Sequence, residues 1–450
     1  MSEPAGGDRP NISLHRRITE SLTHRIVSGK LKPGQRLASE RKIAETYGAS
    51  RATVRTALLN LEQAGLITRR KRRSSIVSIQ RQHKASIRIA CGSSRLVWLF
   101  RRLGEMQMLP AHHQLQFVDL TQPGAFNQVI SQPAVTADVL VCDLEYVNCF
   151  RANRHSYQSI SRTEFSPLSF SPVIHDHFME GKNYIAVPLG LSAQVLYLNR
   201  SHLKRVGVSQ QWDDDWPVFE EAVRCLTTNG YYGLQMRPSF SHLSGLMRSR
   251  GGSLYQANGR IAAGHGPVFE GTVRMLSQFL HVDKSIPILA KAEQINLFAE
   301  GRCAMALDGY ESYRLYRDRL TENLVMGRLP RADGSSTVVS GFAAVVMPGL
   351  ENTQTALDFI HALLSPSTQK VLCQLSGALP IRTDLLNLKT LWELGIGSQA
   401  AQFLLGELQQ CRSIALPKEP EHKYAVENLF LELWLGLDSI DNIYRRFCGL

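Results

Sequence analysis

The chain has 450 residues, 44% of them apolar and 20% charged, with a formal net charge of +12. That length exceeds one ordinary domain and suggests two or three, and no stretch approaches the roughly 20 apolar residues needed to cross a bilayer. The charge is unevenly placed: residues 1–85 hold 18 Lys and Arg against 6 Asp and Glu, a surplus equal to that of the whole chain, so the remainder is neutral. A surplus confined to one small segment is the electrostatic footprint of a nucleic-acid-binding module joined to something that does another job.

The polar start MSEPAGGDRPN lacks the basic-then-apolar design of an export signal, so a cytoplasmic location without membrane contact is expected. The eight Cys (91, 142, 149, 225, 303, 373, 411 and 448) form no CxxC pair and no Cys/His cluster of zinc spacing. They read as reduced, buried small hydrophobes, and neither a metal nor a cofactor is expected.

Residues 1–12 read as a tail and 13–80 as a winged helix-turn-helix. Leu14, Ile18, Leu22 and Ile26 recur every four residues and line one face of a helix that Ser13 could cap and that ends at Gly29. After the turn LKPGQRL come two short helices broken at Gly48, with Ser39 and Ser50 at N-cap positions. The second, about Arg51 to Ala64, has Val54, Leu58 and Leu61 on its core side, which leaves Arg51, Thr53 and Arg55 near its exposed N-terminal end. In a helix-turn-helix those positions face base edges in the major groove. Beyond Gly65, two β-prone runs flank RRKRR and fit a hairpin wing laid on the phosphate backbone or minor groove, adding salt-sensitive affinity more than specificity.

Residues 81–85 read as a linker and 86–450 as a second, α/β region. ASIRIACGSS, HQLQFVDL and TADVLVCD read as strands with a helix, RLVWLFRRLGEMQML, after the first. Such an alternation argues an open sheet that binds ligands beyond its strand C-termini. EGKNYIAVPLGLSAQVLYLNRSHLKRVGV reads as a turn, a Pro-interrupted strand pair and a helix start, and WPVFEEAVRCL as an amphipathic helix. NLFAEGRCAMALDGY then gives a helix capped by Gly301, a strand and a loop; a buried strand in VVSGFAAVVM and the helix TQTALDFIHALLS follow. This order fits a bilobal receptor whose chain crosses between two α/β lobes that close on a solute. Trp98, Trp212 and Trp216 sit beside helical apolar residues and read as core.

Two resemblances sharpen these readings. GKLKPGQRLASER (29–41) and SRATVRTAL (50–58) resemble the hallmark segments of GntR-family bacterial regulators, with Ala38 in place of the usual Pro and RRSSIV in place of the usual wing G-x-G-T. The resemblance implies DNA contacts from Ser39, Arg41, Ser50, Arg51, Thr53 and Arg55, with Arg70 and Arg72 from the wing. GKNYIAVP with LYLNR (181–200), FAEGRCAMALDG (298–309), the LP-x-x-x-G run into SGFAAVVM (329–347) and SGALPIRTD (376–384) resemble extracellular solute-binding proteins that deliver sugars to ABC transporters. That resemblance implies a type II periplasmic-binding-protein-like domain without catalysis, binding through strand-end residues Ser93 or Ser94, Asp143, Ser192, Asp308, Tyr310 and Glu311. Asp143 and Asp308 would accept from sugar hydroxyls and Tyr310 would supply an aromatic face; Glu311 stands where the family often has Trp, and Ser192 where it often has an acid.

Together these give a regulator of transcription that binds operator DNA as a homodimer and senses a sugar or sugar acid. Two other readings are open. The second region could be a dimerisation or protein-contact scaffold without a small ligand. It could instead be a pyridoxal-phosphate aminotransferase-like domain, but that needs a Schiff-base Lys in a Gly/Ser-rich loop with an acidic partner for the pyridinium, and Lys370 lies in a helix-like run.

Overall fold

The computed structural model describes residues 14–449 apart from 28–30, 32–34, 64–66, 69–74, 78–86, 110–112, 119, 121, 123, 134–136, 167, 171–177, 210–211, 213, 229, 257–259, 263–265, 289–296, 333–334, 336–337, 351–352 and 414–419. The chain divides into two compact units, Met1–Ser86 and Ile87–Leu450.

In the first unit, helices α1 (Leu14–Val27), α2 (Glu40–Tyr47) and α3 (Arg51–Gln63) precede a short antiparallel hairpin, β1 (Ile67–Thr68) with β2 (Ile76–Val77). Ile18 and Leu22 of α1 meet Ile43 of α2, Val54, Ala57, Leu58 and Leu61 of α3, and Ile67 of β1 in one core. The four-residue spacing in α1 and the Val54, Leu58 and Leu61 stripe of α3 account for this: each helix has one apolar face and buries it. The turn between α2 and α3 closes on Gly48, whose φ of +60° is the left-handed conformation that glycine adopts without strain.

In the second unit, the first sheet runs β4 (His113–Phe117), β3 (Ile87–Cys91), β5 (Val139–Asp143), β13 (Val338–Val346) and β9 (Val187–Asn199), with β14 (Arg412–Ser413) also on β13. β3 is parallel to β4 and β5, whereas β13 is antiparallel to β5 and β9. β9 does not stop there. Its residues 187–193 pair with β13, and 194–199 pair with β11 (Cys303–Gly309) and β12 (Leu324–Gly327), beyond which lies β10 (Tyr232–Gln235). One strand thus belongs to two sheets. A separate three-stranded sheet holds β6 (Ile160–Ser161), β8 (Asn183–Tyr184) and β7 (Met179–Glu180).

Two apolar cores flank the sheets, and the first reaches onto Cys303 and Ala306 of β11. The first gathers β3, β5 and β13 with helix α4 (Ser94–Glu105) and helices Thr353–Leu364 and Ser398–Gln410; the second gathers Leu196 and Leu198 of β9 with helices Trp216–Leu226, Phe240–Ser249, Gly266–Ser277, Pro420–Leu435 and Ile440–Cys448. These sheets and cores make two lobes, and β9 passes from one to the other.

Three details differ from the sequence reading. Pro188 does not divide the strand: β9 runs unbroken through it, because Pro188 lies at the outer edge of the first sheet and beside the bulge at Phe342/Ala343, where a missing donor is tolerated. Trp98 is not core but 55% exposed, while Trp212 is buried and Trp216 half-buried. Six Cys are buried, as expected of small hydrophobes, and Cys225 and Cys448 are exposed.

Candidate functional site

The first unit presents one polar face around the start of α3. Ser39 and Ser50 act first as caps: Ser39 Oγ accepts from the Lys42 N–H at 3.3 Å, and Ser50 Oγ accepts from the Thr53 N–H at 3.1 Å and shares a 2.8 Å hydrogen bond with Thr53 Oγ1. Each satisfies a helix N–H that would otherwise lack a partner. Arg51 and Arg55 are exposed on the first turns of α3, and Thr53 is half-buried between them. Arg55 reaches Glu40 on α2 at 3.2 Å, and Arg41 reaches Glu45 at 3.4 Å. Both pairs are exposed and therefore weak, so either guanidinium can exchange its carboxylate for a phosphate or a base edge. Arg70 and Arg72 lie outside the described residues.

The second unit holds a cleft of about 740 Å³ between the lobes. Its floor is where β9 and β13 meet, and two glycines let the strands approach there. Gly341 has φ of +146°, and a Cβ there would stand 2.1 Å from the Gly190 carbonyl oxygen; a Cβ on Gly190 would stand 2.8 Å from the Phe342 ring. Asp143, at the end of β5, lines the cleft with Ser192 of β9 and Glu311 of the turn after β11. Ser192 Oγ donates to the Glu311 carboxylate. These three of the expected residues are brought together.

The others sit around the cleft rather than on its wall. Ser93 caps α4, accepting from the Leu96 N–H at 3.4 Å, and the next-but-one residue, Arg95, reaches the cleft. Asp308 is buried beneath it. Its carboxylate pairs with Arg237 at 2.5 Å and accepts from the Gly309 N–H at 2.9 Å, Ser312 Oγ at 2.7 Å and the Tyr316 hydroxyl at 2.9 Å. Burial alone would raise the Asp308 pKa, but the Arg237 charge and these donors outweigh it and hold the carboxyl below its ordinary value. Burial likewise opposes the charge on Arg237, and the Asp308 and Glu311 carboxylates outweigh it, holding the guanidinium above its ordinary value. Tyr310 is buried, its ring stacked on Tyr313 at 5.9 Å, and burial pushes its hydroxyl far up. It gives the cleft no aromatic face.

Sequence reasoning missed Arg95, Gln194, Arg237, Ser239, Ser241, His242 and the apolar wall of Ile288, Leu431, Trp434 and Leu435. Arg237 and Ser239 follow β10, the same strand-end position that marked Asp143, and a strand assignment for YGLQ would have found them. His242 bonds to Ser239 Oγ through Nδ1 at 2.5 Å and to the Leu307 carbonyl through Nε2 at 3.0 Å, which fixes the ring as a donor at Nε2. Among the described residues no cluster of His, Cys, Asp or Glu could hold a metal ion. The cleft offers carboxylates, amides, hydroxyls and guanidinium groups from both lobes, a set suited to many hydrogen bonds with a polyhydroxylated solute.

The fold is that of a helix-turn-helix domain joined to a two-lobed domain of solute-binding-protein type. Residues 125–395, more than half of the chain, match the family described as bacterial extracellular solute-binding protein, and residues 14–77 match the bacterial regulatory proteins of the gntR family; the chain belongs to the first and carries the DNA-binding domain of the second. Within the N-terminal domain it is 43% identical over 74 residues to the HTH-type transcriptional repressor NagR of Bacillus subtilis, and 37% identical over 71 residues to the HTH-type transcriptional regulator Mce2R of Mycobacterium tuberculosis. Each match covers 16% of this chain and 30% of the relative, so the chain spans less than a third of these relatives' length. The receptor fold is shared with maltose-bound MalE3 of T. maritima, at a TM-score of 0.67 and 14% identity over 81% of this chain and 98% of that one. UgpB of Mycobacterium tuberculosis, in complex with glycerophosphocholine, aligns at a TM-score of 0.66 and 15% identity over 82% and 97%.

Proposed function

We propose that this protein is a ligand-responsive, sequence-specific transcription regulator that works in the cytoplasm as a homodimer on a pseudo-palindromic operator and senses a small hydroxylated solute of the sugar or sugar-acid kind. The observation that carries the reading is the cleft of about 740 Å³ lined from both lobes by Asp143, Ser192, Gln194, Arg237 and Glu311, on a chain that also carries a helix-turn-helix. That volume lies within the range of small-molecule sites. Asp143, Ser192 and Glu311 bind hydroxyls, and Asp308 orients Arg237 toward them. Ser39, Arg41, Ser50, Arg51, Thr53, Arg55, Arg70 and Arg72 contact DNA. A solute that binds the closed lobes better than the open ones shifts the receptor toward closure, and residues 80–86 pass that change to the DNA-reading module.

The test is a thermal-shift screen of the full chain against sugars, sugar acids and amino acids, followed by operator-binding assays with each hit. A solute at a hundredfold over its dissociation constant adds about 2.7 kcal/mol of stability. A hit that also changes operator affinity supports the reading. Uniform failure by well-folded protein favours the receptor half as a contact scaffold.

A further inference from the structure

One wall of the cleft is aliphatic, which the sugar expectation does not explain. Leu431, Trp434 and Leu435 lie within one helical turn of each other on helix Pro420–Leu435 and line the cleft together with Ile288. Leu431, Leu435 and Ile288 are 43%, 48% and 41% exposed. Single exposed leucines are ordinary on a protein surface. Three large aliphatic side chains turned into one concavity are not, because they hold water whose release on covering would drive binding.

This wall is held in place. The Tyr255 hydroxyl donates to the His422 carbonyl at 3.0 Å, the Phe240 N–H donates to Glu427 at 3.3 Å, and Val426, Leu429, Phe430, Leu433 and Trp434 are buried in the second core. The helix therefore presents Leu431 and Leu435 from a fixed backbone. The groups that accept and donate to hydroxyls, Asp143, Ser192, Gln194, Arg237 and Glu311, come from other elements. A bare sugar ring packs its apolar face on a flat aromatic side chain, but Tyr310, the residue expected to supply one, is buried against Tyr313, and the Trp434 and Phe342 rings that border the cleft are only 1% and 3% exposed. Branched aliphatic side chains instead suit a methylene chain or a ring substituent.

We infer that the solute is amphipathic: a hydroxylated head is held by the polar side of the cleft, and an apolar substituent lies on Ile288, Leu431 and Leu435, as in an alkyl or aryl glycoside. The inference rests on the reading of this cleft as the solute site. It names a part of the ligand, not only its polar class.

The experiment is titration calorimetry of the full chain with glucose, galactose, mannose and N-acetylglucosamine, each as the free sugar and as its methyl, butyl and hexyl glycoside. In the sugar series that binds, affinity rises about fourfold for each methylene buried, and the heat-capacity change on binding becomes more negative with chain length. In Leu431→Ser and Leu435→Ser, whose exposed positions spare the core, the hexyl-to-methyl affinity ratio falls by about tenfold. Alkyl glycosides that bind no tighter than the free sugar, or a ratio unchanged in both variants, overturn the inference and leave the solute-sensing reading standing. Failure of every free sugar and glycoside to bind overturns the inference and counts against sugar sensing itself.

Discussion

The Tyr424 hydroxyl, on a helix of the second lobe, donates to the main-chain carbonyl of Leu120 in the first lobe at 2.5 Å. Tyr146 donates to the same carbonyl at 2.8 Å, and Lys423 Nζ stands 5.5 Å from the Tyr146 ring centre. The Leu120 N–H donates to the Gly92 carbonyl just past the end of β3. A lobe movement that parted the Tyr424 hydroxyl from the Leu120 carbonyl by about 2 Å would break their bond. That bond therefore favours the lobe arrangement that holds these two groups together. Tyr424→Phe should lower affinity for the solute by about two- to tenfold and enlarge the unliganded protein in solution scattering; an unchanged radius and affinity would mean that closure does not depend on it.

Asp308 gives the acid limb of stability a specific cause. Its carboxyl titrates below the ordinary value in the folded protein, so its contribution is complete above the unfolded value and is lost as pH falls through the folded one. Asp308→Asn takes from the half-buried Arg237 guanidinium its hydrogen-bonded carboxylate and leaves only the Glu311 charge near it, so a cost of about 1–3 kcal/mol at neutral pH is expected. Urea denaturation across pH 3 to 7 measures both effects. The variant should show a flatter acid limb than the parent; parallel curves would assign that limb to other carboxylates.

Gly341→Ala places a Cβ against the Gly190 carbonyl at a backbone angle that side chains rarely adopt. Destabilisation of about 1–3 kcal/mol is expected, with weaker solute binding because the cleft floor spreads. Thermal melts with and without solute separate the two effects.

On the DNA side, Arg51→Ala and Arg55→Ala should each weaken operator binding by about 1–3 kcal/mol if they reach bases, and leave binding to random DNA less affected. Glu40→Gln releases Arg55 from its exposed pair, so operator binding should hold or tighten while stability moves by less than about 1 kcal/mol. Competition shift assays at two salt concentrations distinguish base from phosphate contacts, since equal losses on both DNAs mark the latter.

Coupling is testable at residues 80–86. An insertion of about ten Gly and Ser residues makes a flexible chain in place of a short one. It should leave solute and operator binding intact and abolish the effect of one on the other. A surviving response would place the coupling elsewhere.

Much of this architecture could be read along the chain, because local periodicity carries it. The stripe Val54, Leu58 and Leu61 marked the core face of α3, and the apolar run VLVCD marked β5 and put Asp143 at its end. What was missed depends on distance in sequence. β10 is four residues long in GYYGLQMRPS, with Gly230 just before it and Gly233 within it, so its pattern is too short to reveal Arg237 as a cleft residue. The aliphatic wall joins Leu431 and Leu435 to Ile288 across more than 140 positions, and no local pattern marks that meeting. Tyr310 was expected in the cleft for its chemistry, but the turn after β11 sends its ring to Tyr313 and leaves Glu311 to face Ser192.

The sharing of β9 between two sheets also fixes an order of assembly during synthesis. The first sheet needs β13 and β14, near residues 338–346 and 412–413, and the second core needs helices that follow residue 420. Neither lobe is complete until the last few dozen residues have left the ribosome, whereas the module formed by residues 14–77 is finished first. On the proposed reading, a message cut short in between encodes the DNA-binding domain without its sensor, and such truncations would act on the operator without answering to the solute.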